Sequence, residues 1–325
     1  MFTRQLSLSG FTQQHLNSLK SACVGLIGCG GLGCSAALHL TGSGVGKIVF
    51  VDGDKIELTN IHRQIAYTIE DIGKYKTLCL KDRCLKINPE LLYECHNLFI
   101  EDCNLLKDCD VILDCSDNAN TRIMLNEYCK ETKKPLIFGS AISYDGQLCV
   151  FNFKKNSKCL FCVFPEIDKV KDTCDGMGVL GPVPGIIGTL QAIECIKLIS
   201  GLGEVIKGLL HYSSFDTSFN YIEVEEGCSC CNKKEYDKGC EITYDEYIKN
   251  KGEYILYDIR EDIGEDDEHI LGSIQEQNIN NITFNQNIKY AFICSIGQVS
   301  LNTVKELRDR GVKNCWSIKH GFRGI

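Results

Sequence analysis

The sequence predicts an α/β protein: a mostly parallel sheet covered by helices on both faces, extended by antiparallel strands and followed by a second, smaller α/β unit. Three observations lead there. Short β-rich runs alternate with helical periods from Cys23 to Phe138, paired strands take over after Gly139, and a polar, cysteine-bearing stretch over 225–239 precedes a fresh apolar pattern near Ile242. On this basis the domains are 1–235 and 241–325.

The elements follow in order. A strand at Cys23–Ile27 leads to a helix over 32–40, a strand at Lys47–Val51 and a helix over 74–87 that Asn88-Pro89 stops. Strands over 91–99, Val111–Asp114 and 136–138 come next, with a helix over 121–130 before the last of them. Residues 142–153 read as a hairpin turning at Asp145-Gly146, and 209–224 as another. The apolar stretch 179–200 carries Pro182, Pro184, Glu194 and Lys197, so it reads as a buried turn and helix and not as a membrane span.

A chain of 325 residues with 44% hydrophobic content can bury a full core. Its net charge of -8 argues against a nucleic-acid surface and makes a protein the better partner. Residues 1–20 lack the apolar core of a signal peptide, so the expected location is cytoplasmic. There the 21 cysteines are expected as reduced thiols, ligands or nucleophiles. Cys23, Cys79, Cys84, Cys149 and Cys195 fall in apolar periods and read as small core residues.

Gly28-Cys29-Gly30-Gly31-Leu32-Gly33 lies between a strand and a helix, a Rossmann-like turn that brings phosphate to a helix N-terminus. By itself it fits an ordinary turn or a nicotinamide-dependent oxidoreductase equally well. Asp52, at the end of the next strand, can accept ribose hydroxyls in either case. Arg63 and Lys76 tip the balance, because two cations beyond the sugar suit a triphosphate. Asp117, past the strand at Val111–Asp114, is placed to hold magnesium, and with Asn118 it could also cap a helix.

Taken together, Gly-x-Gly-Gly-Leu-Gly, Asp52, Asn60 with Arg63-Gln64, Lys76, Asp114 to Asn118 with Arg122 and Asn126, and Gly146-Gln147 resemble the MoeB/ThiF family of ubiquitin-activating-type adenylyltransferases. The resemblance runs from Arg4 to about Cys231. It implies that Gly31, Asp52, Thr59, Asn60, Ile61, His62, Arg63, Lys76, Asp117 and Asn118 contact ATP, with Asp117 the Mg2+ ligand. It also implies a homodimer in which Arg4 reaches the neighbouring subunit's nucleotide.

Cys159-x-x-Cys162 and Cys228-x-x-Cys231 each follow a predicted hairpin strand, and two such pairs in a reducing compartment point to structural Zn2+. Cys230 competes for the fourth position, though the two-residue spacer favours Cys231.

Two further cysteines are candidate nucleophiles. Cys174, in a glycine-rich polar loop, resembles the family's cysteine that links to the carrier protein. Cys294 lies between a strand at Lys289–Ile293 and a helix over 301–310, where backbone N–H groups can cradle a persulfide. With Tyr257-Asp258-Ile259-Arg260, His269 to Ile274 and Gly321-Phe322, it resembles a rhodanese sulfurtransferase domain, shortened between Ile274 and Tyr290 and without an arginine after the cysteine. The combination is similar to the MoeB-rhodanese fusions of molybdenum cofactor biosynthesis and tRNA thiolation. It implies a ubiquitin-like sulfur carrier ending in Gly-Gly, a persulfide donor, and no direct contact with nucleic acid or membrane.

Overall fold

The computed structural model describes residues 1–152, 154, 158–165, 167, 178–224, 240–260, 270, 272–276, 279–294 and 298–319. Two compact units result, Met1–Cys231 and Asn232–Ile325.

In the first unit, two short helices, α1 (Thr3–Leu6) and α2 (Gln13–Ser21), precede the alternating core. That core comprises β1 (Cys23–Ile27), α3 (Gly31–Ser43), β2 (Lys47–Val51), α4 (Lys76–Ile87), β3 (Leu92–His96), β4 (Val111–Asp114), α5 (Ala119–Thr132) and β5 (Leu136–Ile142). Then come β6 (Asp145–Phe151), α6 (Leu160–Val163), α7 (Pro182–Ser200), β7 (Leu209–Ser213) and β8 (Ser218–Ile222).

The sheet order is β3-β2-β1-β4-β5-β6-β7-β8, parallel from β3 through β5 and antiparallel beyond. Every residue of β1 and β4 is buried, as expected of central parallel strands covered on both faces. The order reverses between β1 and β4, which opens a crevice at the carboxyl ends of those strands.

Local signals set the helix ends. Gly44 (φ 96) closes α3 in the left-handed conformation, and Pro182 opens α7, where its missing N–H costs nothing. By length and composition α7 could cross a membrane, yet it packs on α3 and the sheet with Val183, Ile187, Ala192 and Cys195 buried. Cys23, Cys79, Cys84 and Cys149 are buried as well.

The first hairpin differs from its sequence reading. Ile142 pairs with Asp145, so the chain reverses at Ser143-Tyr144, with Ser143 at φ 55, and β5 runs on past residue 138. Gly146 sits inside β6 because a Cβ there would meet Ile187 Cγ1 at 2.4 Å. The glycine serves packing under α7 and not a turn. The strand expected over 91–99 is also shorter, since β3 ends at His96.

The second unit is a parallel sheet of order β11-β10-β12-β13-β9. Its elements are β9 (Glu241–Ile242), α8 (Tyr244–Lys249), β10 (Tyr254–Asp258), β11 (Ile274–Gln275), β12 (Lys289–Ile293), α9 (Gln298–Asp309) and β13 (Cys315–Ile318). Tyr290, Phe292, Leu301, Val304 and Leu307 pack α9 against the sheet.

Candidate nucleotide site

Parallel register brings the site together. Ile27 pairs with Val51 on one side and with Asp114 on the other, so the segments leaving β1, β2 and β4 emerge at one sheet edge. Gly28 (φ +92) begins the turn, and a Cβ there would lie 2.5 Å from Cys115 O. At Gly33 a Cβ would lie 2.0 Å from Gly28 O, so the turn folds onto the first turn of α3. The Cys34 N–H donates to Gly30 O at 2.9 Å, which leaves the N–H groups of Gly31, Leu32 and Gly33 without an intrahelical acceptor at the positive end of the helix. A helix N-terminus of this kind suits an anion such as phosphate.

Asp52 braces the turn. Its Oδ2 accepts the Cys29 N–H at 2.7 Å and its Oδ1 the Asp54 N–H at 2.8 Å. Burial raises its pKa, while Lys76 and the two N–H donors pull the other way. Lys76 begins α4 almost fully buried, and its Nζ donates to Asp54 Oδ2 at 2.6 Å. Burial works to lower the ammonium pKa, but Asp52, Asp54 and Asp117 outweigh it and raise it, so Lys76 is charged at neutral pH.

The segment after β2 wraps back to the glycines. Leu58–Asn60 forms a 3-10 turn in which Asn60 O accepts the N–H groups of Arg63 and Gln64 and Asn60 Oδ1 accepts that of Glu57. Arg63 Nη1 donates to Thr59 O at 2.9 Å and lies 2.9 Å from His62 Nε2. Arg63 O is 3.1 Å from where a Gly31 Cβ would stand, and His62 O is 2.4 Å from the corresponding position at Gly181. Ile61 is half-buried against the core, and Thr59 is exposed.

The loop after β4 is held from beneath. Buried Asp114 accepts the Ser116 N–H and hydroxyl at 3.0 and 2.6 Å, while Arg122 Nη2 donates to Ser116 O at 2.9 Å. Gln191 Nε2 donates to Asp114 O at 2.7 Å. Asp117 projects from this loop, exposed, within electrostatic reach of Lys76. Asn118 caps α5, its Oδ1 accepting the Thr121 N–H at 2.8 Å.

Arg4 stands apart from this cluster. Gln5 Nε2 donates to Ser43 O at 3.2 Å, which sets α1 beside the last residue of α3. From Gly31 to Ser43 the helix rises about 18 Å.

Of the paired cysteines, Cys159 and Cys162 are described, and Cys228, Cys230 and Cys231 lie outside the described residues, as does Cys174. The Cys159 and Cys162 Sγ atoms are 3.7 Å apart, close to the edge of a tetrahedron with metal–sulfur bonds of about 2.3 Å. The Cys159 N–H donates to Cys162 Sγ at 3.3 Å, which holds the two sulfurs on one side of the turn. Asn126 Oδ1 accepts the Leu160 N–H at 2.9 Å and fixes this turn to α5. Among the described residues no group of three or more His, Cys, Asp or Glu side chains gathers to hold a metal.

In the second unit Cys294 is buried. Its Sγ accepts the Ser300 N–H at 3.3 Å, and Ser300 Oγ lies 3.4 Å from that sulfur and 2.9 Å from Ser317 Oγ. Asp258, the last residue of β10, forms a buried pair with Arg260 at 2.7 Å. Residues 295–297, His269 and Gly321-Phe322 lie outside the described residues.

Residues 2–232 match the ThiF family. This chain belongs to the ThiF family. Among its ThiF relatives, the adenylyltransferase and sulfurtransferase MOCS3 of Drosophila willistoni is 40% identical over 238 residues, 71% of this chain and 52% of that protein. The protein of the same name in Culex quinquefasciatus is 34% identical over 296 residues, 80% of this chain and 67% of that protein. The chain thus spans about half the length of the first curated relatives it matches. Among solved structures, E. coli MccB with ATP is 27% identical with a TM-score of 0.58, covering 66% of this chain and 68% of that one. E. coli MccB with AMPCPP and MccA is 26% identical with a TM-score of 0.61, covering 70% and 72%.

Sequence reasoning missed three residues that brace this cluster: Asp54, Tyr67 and Gln191. Tyr67 Oη donates to Cys29 O of the glycine turn at 2.7 Å and lies 3.2 Å from Lys76 O at the start of α4. None of the three stands in a spacing pattern that marks it out.

Proposed function

We propose that this ThiF chain adenylates the C-terminal carboxylate of a ubiquitin-like sulfur carrier ending in Gly-Gly, as a cytoplasmic homodimer. The observation that carries the reading is the meeting, at one sheet edge, of the unfilled N–H groups of α3, Asp52, Arg63, Lys76 and Asp117.

In the reaction a carrier carboxylate oxygen forms a bond to the α-phosphorus of ATP as the bond to pyrophosphate breaks. The carboxylate arrives ionised, so no general base is needed. The α3 N–H groups would hold phosphate oxygens, and Lys76 and Arg63 would offset the charge that gathers on the departing pyrophosphate. Asp52 would take the ribose hydroxyls with the acceptor capacity left beside Cys29 and Asp54. Asp117 would hold Mg2+, which supplies further charge neutralisation when bound. Gly31, Thr59, Asn60, Ile61 and His62 would line the nucleotide, and Asn118 would hold Asp117's loop in place as the cap of α5.

Arg4 supports the dimer, because its own α3 separates it from its own turn and a neighbouring subunit could bring it to the phosphates. Exposed Leu58, Ile65 and Ile69 offer an apolar surface next to the site. Cys159, Cys162, Cys228 and Cys231 would hold structural Zn2+, and the 3.7 Å spacing of the first two suits that role.

For the following step, a persulfide on Cys294, charged by a persulfide donor, would attack the acyl-adenylate and release AMP. Cys174 would then attack the Cys294 sulfur, freeing the carrier thiocarboxylate and leaving a Cys174–Cys294 disulfide for a thiol reductant to reopen. The thiocarboxylate would serve tRNA thiolation or molybdenum cofactor biosynthesis. One observation favours a second reading: Cys294 is only 3% exposed, which suits a scaffold domain in an enzyme that passes its modifier onward as a thioester.

ATP–pyrophosphate exchange against each Gly-Gly carrier of the source organism tests the adenylation. Exchange with one carrier supports it, and none with any carrier overturns it. Mass spectrometry of that carrier, with a sulfur donor present, separates the two readings by oxygen-to-sulfur exchange.

A further inference from the structure

We propose that Tyr67 is a positioning residue for the phosphate site: its hydroxyl sets the Cys29–Gly30 peptide so that the Gly30 N–H faces the nucleotide, and ties that peptide to the start of α4 at Lys76. The proposal rests on the ATP reading above.

Tyr67 is buried, and its hydroxyl lies 2.7 Å from Cys29 O and 3.2 Å from Lys76 O. These carbonyls belong to the two segments that hold phosphate, the glycine turn and the first turn of α4. A planar trans peptide carries its C=O and N–H on opposite sides. Drawing Cys29 O toward buried Tyr67 therefore turns the Gly30 N–H the opposite way, away from the tyrosine. The preceding peptide is fixed as well, since the Cys29 N–H donates to Asp52 Oδ2 at 2.7 Å. With both peptides around Cys29 pinned, the turn is ordered before phosphate arrives, and less ordering remains to oppose binding.

A phenylalanine would fill the same space, so packing does not account for the hydroxyl. Burial pushes the Tyr67 phenol well above its usual pKa, which keeps the proton available for donation throughout the physiological range. The Cys34 thiol reaches the same carbonyl at 3.5 Å, a longer and weaker contact that cannot replace the phenol.

The test is equilibrium binding of ATP, AMP and adenosine to the full chain and to Tyr67→Phe, with unfolding midpoints measured alongside. The expected result is ATP binding weakened roughly tenfold, AMP less affected and adenosine unchanged, since a net hydrogen bond corresponds to about that factor. Amide exchange gives a second measure: ATP should slow exchange at Gly30 in the unsubstituted chain, and Tyr67→Phe should lose that protection while β2 keeps its own. Unchanged ATP affinity, or equal weakening for adenosine and ATP, would overturn the positioning role. An unsubstituted chain that fails to bind ATP would instead overturn the ATP reading, and this proposal with it.

Discussion

Lys76 Nζ lies 2.6 Å from Asp54 Oδ2, joining the first residue of α4 to the segment that leaves β2. The lysine side chain is 8% exposed and the aspartate 51%, so the cation is buried while its partner stands at the rim of the site. A phosphate oxygen could replace so exposed a partner at little cost. Lys76→Met, which keeps the apolar stem, should cut ATP–pyrophosphate exchange by roughly 100-fold or more. Asp54→Asn should cost only a few-fold. Equal losses in the two variants would count against a phosphate role for Lys76.

Acid should loosen the loop over 68–74 that leads into α4. Asp71 accepts the Thr68 N–H and hydroxyl, each at 3.0 Å, Lys74 at 3.2 Å and Arg83 at 2.6 Å. Burial opposes its ionisation, but these donors outweigh burial and bring its pKa down to about 2. A carboxylate depressed in the folded state stabilises above its unfolded pKa of about 3.9, and that contribution is lost as pH falls toward about 2. Asp71→Asn should therefore remove about 2 kcal/mol at neutral pH and flatten the acid limb of the stability curve. Denaturant titrations from pH 7 down to pH 2 would check both.

Gly33→Ala places a methyl group 2.0 Å from Gly28 O, so backbone must move. The turn and the helix N-terminus should separate, and ATP affinity should fall by more than tenfold with a lower unfolding midpoint. Calorimetric titration with ATP reads the first effect, and thermal unfolding the second.

Zinc content tests the paired cysteines. The purified chain should carry one equivalent, and Cys159→Ser should lose it together with several kcal/mol of stability, since binding of a structural metal contributes directly to folding. Elemental analysis that finds no zinc in the unsubstituted chain would rule the site out.

The two readings of the second unit diverge at Cys294. Under sulfur transfer, Cys294→Ala should leave pyrophosphate exchange intact and abolish thiocarboxylate formation. Under thioester transfer, Cys174→Ala should block passage of the modifier while Cys294→Ala leaves it unchanged.

Much of the nucleotide site can be read from the chain because its signals are local. A glycine turn between a strand and a helix, an acidic residue after the next strand and a capping Asn118 each depend on neighbours within a few residues. Gly146 misled for the complementary reason. Asp-Gly is a strong turn signal, yet this glycine answers to Ile187, some forty positions away in sequence. Tyr67 and Asp54 left no signal at all, since an aromatic or acidic residue in a loop has no periodicity to mark what its polar tip will reach.

Alternation of strands and helices, the helix ends and the chemistry available at Gly28 to Gly33 follow from residue order, because backbone conformation and hydrogen bonding act over short spans. Which strands lie side by side, and in what register, rests on packing between distant segments. That packing brings Ile27, Val51 and Asp114 level, and with them Asp52, Lys76 and Asp117 around one turn. It also places Arg4 at the far end of α3 and buries Cys294 against Ser300. The Ser300 N–H that reaches Cys294 is legible in the strand-to-helix spacing, but the burial of that sulfur is not, because burial is set by what the rest of the chain folds over it.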